Sequence, residues 1–169
     1  MKSPVIDTPR LILRGLVEDD ADWVHTLNHD PLWLRYIGDR GVASLGDAHD
    51  YIARSQQQMH EWGFSILAII DRQSERPVGM CGLLRRPYFE VPELGFALLP
   101  EGRGKGIGQE AARYVVNYAK YTLGFHQVLA SVNPANASSI KLLENTGFIR
   151  LGQLFAPQLS GQLLYALSD

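Results

Sequence analysis

The run Leu99-Pro100-Glu101-Gly102-Arg103-Gly104-Lys105-Gly106-Ile107-Gly108-Gln109-Glu110 sets four glycines and two cations between a strand-like segment and a helix-like one. A turn of this kind lays successive N–H groups at the start of a helix, where unpaired amides and the helix dipole favour an anion such as phosphate. Glycine suits the turn because no Cβ holds the backbone away from a ligand and positive φ costs it nothing. The fold must therefore supply a strand that ends here, a helix that begins here, and a sheet that anchors both. A glycine-rich surface turn with solvated cations would have the same composition, so the spacing has to decide.

Two common phosphate patterns do not fit. G-x-G-x-x-G fails because its last position is Ile107 when counted from Gly102 and Gln109 when counted from Gly104. The ATP-type loop needs Gly-Lys-Ser/Thr, whereas Lys105 precedes Gly106 and no Ser or Thr follows. A third pattern, Arg103-x-x-Gly106-x-Gly108, does fit. Downstream, Asn133-Pro134-Ala135-Asn136-Ala137-Ser138-Ser139 leads into an apolar helical run that closes at Gly147-Phe148. The opening Thr8-Pro9-Arg10-Leu11-Ile12-Leu13-Arg14, followed by Glu18-Asp19-Asp20 and Trp23, makes a third marker. Together these resemble the GNAT superfamily of N-acetyltransferases, and the opening resembles its RimJ/RimL-like branch.

Composition bounds what surrounds these motifs. The chain has 169 residues, 46% of them apolar, which suits one domain spanning residues 1–169 with a sizeable core. A formal net charge of −2 does not point to nucleic acid or an anionic membrane as partner. Apolar stretches such as residues 66–70 are strand-sized, and residues 1–10 lack the apolar core of a signal peptide. The single cysteine, Cys81, cannot form an intrachain disulfide and reads as a buried, inert thiol. These features lead to an expectation of a cytoplasmic protein.

Patterning gives the element order. Residues 11–16 alternate like a strand, and residues 18–27 read as a helix with acids in its first turn. Pro31, Gly38 and Gly41 break the next stretch into short pieces. Residues 47–62 read as a helix capped by Ser44 or Asp47. Strands are expected at residues 65–70, 77–84 and 91–99, then a helix over 109–123 ended by Gly124. A strand over 127–132, a short helix over 138–145 and a closing hairpin of 148–155 with 162–167 complete the chain. The order reads as α/β (α+β). The resemblance implies a GNAT fold: one mixed, mostly antiparallel sheet of six to seven strands, splayed between its central strands and flanked by about four helices.

The resemblance also assigns tasks. Acetyl-CoA is implied as acetyl donor, its pyrophosphate held by the amides and cations of Arg103, Gly104, Lys105, Gly106, Ile107 and Gly108. The pantetheine arm would pair, as an added strand does, with backbone groups around Ala97, Leu98 and Leu99. Glu93 is the candidate base, acting directly or through water, although an ion pair or a sheet-edge charge would also place a glutamate there. Ser139 would donate to the leaving sulfur and Asn136 would bond the CoA arm; both also suit helix capping.

His25 and His29, four residues apart, lack a third ligand, and no metal is expected. Trp33, Tyr36, Trp62, Tyr88 and Phe89 could line an acceptor cleft or simply pack in the core. The expected reaction is direct acetyl transfer to a primary amine in a ternary complex, the amine belonging to a protein N-terminus or a small molecule. A non-catalytic CoA-sensing module and a nucleotide-phosphate binder are the alternatives. The protein is expected to be a monomer or a homodimer, with acceptor choice residing in residues 32–60 and 155–165.

Overall fold

The protein is described from a computed structural model, for residues 5–155 and 157–169. The leader reading of residues 1–10 and the acceptor reading of residues 155–165 therefore lie partly outside the described residues.

Eight strands form one sheet in the order β1-β2-β3-β4-β5-β6-β8-β7. They are β1 (Ile6–Asp7), β2 (Leu11–Gly15), β3 (Ile66–Asp71), β4 (Pro77–Leu84), β5 (Glu93–Leu98), β6 (Gln127–Val132), β7 (Ile149–Gln153) and β8 (Leu163–Ser168). Five α-helices accompany them: α1 (Ala21–Asn28), α2 (Pro31–Tyr36), α3 (Leu45–Trp62), α4 (Ile107–Asn117) and α5 (Ala137–Thr146).

The sheet is antiparallel except between β5 and β6, which are parallel and joined through α4. That parallel pair registers only at Glu93↔Leu129. Past this point the two strands part, which is the splay expected of the central sheet.

Strand β3 alternates between two cores. Leu67 and Ile69 join the cluster under α4, while Ile66 and Ala68 join the cluster under α1 and α3. A strand covered on both faces reads as a continuous apolar run, as residues 66–70 do.

Among the described residues there is one strand and one α-helix more than expected. β1 is only two residues long, too short to show alternation. In α2, Pro31 occupies the first turn, where a missing N–H costs nothing, and the Asp30 carboxylate accepts from the Leu32 amide. Helix α3 begins earlier than residue 47: Ser44 accepts from the Asp47 amide while Asp47 accepts from Ser44, a reciprocal cap. Helix α4 begins at Ile107 rather than residue 109, because Gly106, at φ 73°, turns the chain into it directly.

Candidate active site

Gly104 and Gly106 both hold φ of 73°, the left-handed region that disfavours side chains. Gly106 is the residue before α4, and no side chain caps that helix. The first amides of α4 are thus left for a ligand.

The turn is stapled from the N-terminal strand region. Glu110, in the first turn of α4, accepts from the Thr8 hydroxyl (2.7 Å), the Arg10 amide (3.0 Å) and Arg10 Nε (2.6 Å). Burial alone would raise the Glu110 carboxyl, but these bonds outweigh it and hold its pKa below the ordinary value. Arg10 also donates to the Lys105 carbonyl at 2.7 Å. In a trans peptide C=O and N–H point in opposite directions, so this bond turns the Gly106 N–H away from Arg10. A Cβ built on Gly106 would sit 3.4 Å from the Arg10 guanidinium, whereas one on Gly104 would meet nothing within 4 Å.

The cations of the turn are committed within the chain. Lys105 Nζ donates to the Glu101 carbonyl at 2.8 Å. Arg103 donates to buried Asp30 at 2.6 Å and to the Leu98 carbonyl at 3.0 Å, tying the turn to α2. Desolvation would raise the Asp30 carboxyl, but the Arg103 and Leu32 bonds bring it below its ordinary range. Arg103 and Gly104 line the outer cavity described below, while Ile107 and Gly108 are buried behind the turn.

Just past β5, the Leu99 amide donates to the Val78 carbonyl of β4 at 2.9 Å. Antiparallel pairing alternates, so Ala97 also directs its backbone groups to β4, and Phe96 and Leu98 direct theirs toward the splay. This corrects the reading of Ala97, Leu98 and Leu99 as one open edge: Phe96 and Leu98 are the residues whose backbone faces the gap, although the Ala97 side still lines it.

Two cavities meet at this gap. The outer one, about 390 Å³, runs from Arg103 and Gly104 along Leu98 to the start of α5. The inner one, about 330 Å³, reaches Glu93, Ser131 and three arginines. Phe96, Ala97, Asn136 and Ser139 line both and form the junction.

Glu93 lies on the inner floor with its side chain 4% exposed. Its Oε2 accepts from Arg86 Nε at 2.8 Å and its Oε1 from the Ser131 hydroxyl at 2.5 Å. Each oxygen keeps a second lone pair, so a water in the cavity can still bond it. Asn136 caps α5, accepting from the Ser139 amide at 3.3 Å, and the Ser139 hydroxyl makes no hydrogen bond among the described residues.

The remaining candidates divide between this gap and the rest of the fold. His25 and His29 stack at 4.3 Å on an exposed surface, and no group of three metal-ligating side chains occurs among the described residues. Trp33 and Tyr36 line both cavities, whereas Trp62, Tyr88 and Phe89 line neither. Cys81 is buried and burial pushes its thiol pKa upward, consistent with an inert side chain. No helix among the described residues is long and apolar enough to cross a membrane.

Sequence reasoning missed Arg40, Arg54, Tyr51, Arg86 and Ser131, all of which line the inner cavity. Arg86 follows directly on Arg85 in the sequence, but nothing there links it to Arg40 or Arg54.

Comparison with known proteins bears on this arrangement. The family described as an acetyltransferase (GNAT) domain matches residues 10–149. The uncharacterized N-acetyltransferase YoaA of Bacillus subtilis is 28% identical, over 89% of this chain and 86% of its own. The crystal structure of an acetyltransferase from Agrobacterium tumefaciens superposes with a TM-score of 0.85 at 25% identity, covering 100% of this chain and 96% of that one. RimL, a ribosomal-protein alpha-N-acetyltransferase solved in complex with coenzyme A, shares the fold with a TM-score of 0.82 at 15% identity, over 98% of both chains.

Proposed function

This chain belongs to the GNAT acetyltransferase family and is an acyltransferase, and from that premise we propose that it moves an acetyl group from acetyl-CoA directly to a primary amine in a ternary complex. The observation that carries this reading is the parting of β5 from β6 after Glu93↔Leu129, beside a helix N-terminus that no side chain caps. The RimL complex with coenzyme A, which shares the fold, supports acetyl-CoA as the donor.

In this reading the diphosphate takes the amides of Gly104, Gly106, Ile107 and Gly108. Arg103 and Lys105 contribute field rather than direct grip, because Asp30 and the Glu101 carbonyl already hold them. The amide-bearing arm lies along the outer cavity against the backbone of Phe96 and Leu98, as an added strand would. One of these N–H groups polarises the thioester carbonyl and stabilises the oxyanion that develops on it.

The acceptor enters the inner cavity as an ammonium. A water bonded to Glu93 takes its proton and passes it to the carboxylate. The free amine then attacks the acetyl carbon, the C–N bond forms, and the C–S bond breaks with the electron pair leaving on sulfur. The Ser139 hydroxyl, at the junction of the cavities, donates its proton to that sulfur and is reprotonated, through water, by the second proton that the nitrogen sheds as the amide forms. Much of the rate comes from holding amine and thioester together. The RimJ/RimL-like opening favours an α-amine as acceptor.

The test is an amine-library acetylation screen with mass detection, run alongside thiol release from acetyl-CoA. An acetylated amine that appears with stoichiometric thiol supports the reading. CoA binding with no turnover on any amine would leave a sensing module instead.

A further inference from the structure

The inner cavity is lined by three arginines, Arg40, Arg54 and Arg86, and by a single carboxylate, Glu93. The arginines come from separate places: the segment before α3, the middle of α3, and the turn between β4 and β5. Of the three, Arg86 alone makes an ion pair, with Glu93 at 2.8 Å; Arg40 feels Glu93, and Arg54 feels Asp47, without direct pairing. Arg40 and Arg54 make no ion pair and no side-chain hydrogen bond among the described residues, in contrast to Arg10, Arg14, Arg72 and Arg103.

All three cations act on one point, the Tyr51 phenol, each favouring its ionised form. Burial dominates there and raises the Tyr51 pKa to about 12, so the group stays a hydroxyl. Among the described residues that hydroxyl donates only to the Met80 sulfur, at 3.6 Å, and its oxygen accepts no hydrogen bond from them. Arg40 is open to solvent along much of its surface, yet its charge is disfavoured, first by desolvation and then by neighbouring Arg86. Glu93, Tyr51 and Tyr88 act in the opposite direction, favouring that charge.

Like charges gathered in a confined cleft repel one another and focus a positive potential. A cluster of this kind is relieved by an anion, and guanidinium recognises a carboxylate through paired N–H donors. A cavity of about 330 Å³ lies within the range that small molecules occupy. The same field opposes an acceptor that carries further cations.

From this cluster we infer that the acceptor is a small aminocarboxylate: its amine faces Glu93 and the thioester, and its carboxylate is received by Arg40 and Arg54 beside the Tyr51 hydroxyl. Polyamines are selected against by the same arginines. This inference rests on the acetyltransferase reading and names its substrate class.

The test compares α-amino acids with their α-carboxamides, together with spermidine and an acidic-led tetrapeptide, using the full chain and acetyl-CoA. The expected result is a kcat/KM for the acids at least about tenfold above that for the carboxamides, as one lost charge-assisted bond implies. Arg40→Gln and Arg54→Gln should each reduce that ratio, chiefly by raising KM for the acids, while the Tm stays in place. Equal or better use of carboxamides or spermidine, a preference for the peptide, or a ratio that survives both substitutions would overturn the assignment.

Calorimetry of N-acetyl amino acids and N-acetyl amino amides, in the presence of CoA, separates this inference from the reading beneath it. Preferential binding of the carboxylate form that Arg54→Gln abolishes upholds the cationic subsite even if no amine is acetylated. Indifference to the carboxylate refutes the subsite even if acetylation occurs.

Discussion

Replacing Gly104 with alanine separates the cost of a strained turn from the loss of a ligand contact. Gly104 has φ of +73° and lines the outer cavity, and a Cβ there would meet no protein atom within 4 Å. Gly124, after the C-terminal end of the α4 segment, has φ of +77° and equally open space, but lines neither cavity. Both substitutions place a side chain in the left-handed region, at a cost of roughly 1–2 kcal/mol. For a chain of this size each should lower the Tm by roughly 2–8 °C. Only Gly104→Ala should also hold a diphosphate off a backbone amide. Losing one hydrogen bond to a charged group removes roughly 1.5–3 kcal/mol, or about 10- to 150-fold in affinity. Calorimetric titration of CoA into both variants and the parent protein reads this directly. Equal Kd values for Gly104→Ala and Gly124→Ala, after comparable Tm losses, would refute the account of the turn.

Two further outcomes follow from the site. Ser139→Ala should lower kcat clearly while CoA affinity changes little, because the hydroxyl is engaged only as sulfur leaves; unchanged turnover in a thiol-release assay would remove its role as proton donor. The Asp20 and Asp30 carboxyls are both held below their ordinary pKa, against burial, by bonds from Arg14 and Arg103 respectively. The unfolded chain therefore binds protons first as pH falls, so the stability these groups add is complete above their ordinary value near about 4 and is lost as pH drops through the lower folded values. Asp30→Asn should cost about 1–3 kcal/mol at pH 7 in urea unfolding, and the deficit should shrink in strong acid. A deficit constant from pH 7 to pH 2 would exclude the carboxylate as its source.

The glycine turn was legible in sequence because a chain that passes from a strand into a helix through the left-handed region needs glycine there, and Gly104 and Gly106 hold those positions before α4. Strand β4 matched its expected span, Pro77–Leu84, because a strand buried on both faces is apolar throughout. Helix α2 was hidden because Pro31 looks like a breaker in sequence and is a helix starter in three dimensions. The opening Thr8 and Arg10 were visible as a family marker, but their work was not: they fasten Glu110 and the Lys105 carbonyl across about 100 positions of chain.

Glu93 was visible as an acid within an apolar strand. Its partners Arg86 and Ser131 were not, since β4, β5 and β6 become neighbours only in the folded sheet. The unpaired Arg40 and Arg54 carry no local pattern at all, and their meaning arises only from the cavity they share.

The central claim is that the turn before α4 grips the diphosphate while the donor's arm runs down the gap between β5 and β6. Titrating CoA into isotope-labelled protein and following amide resonances tests it most directly. The account predicts that the amides of Gly104, Gly106, Ile107 and Gly108 shift together with those of Phe96 and Leu98, at one common Kd. Saturable CoA binding that leaves these six amides unmoved and shifts another part of the fold would contradict it.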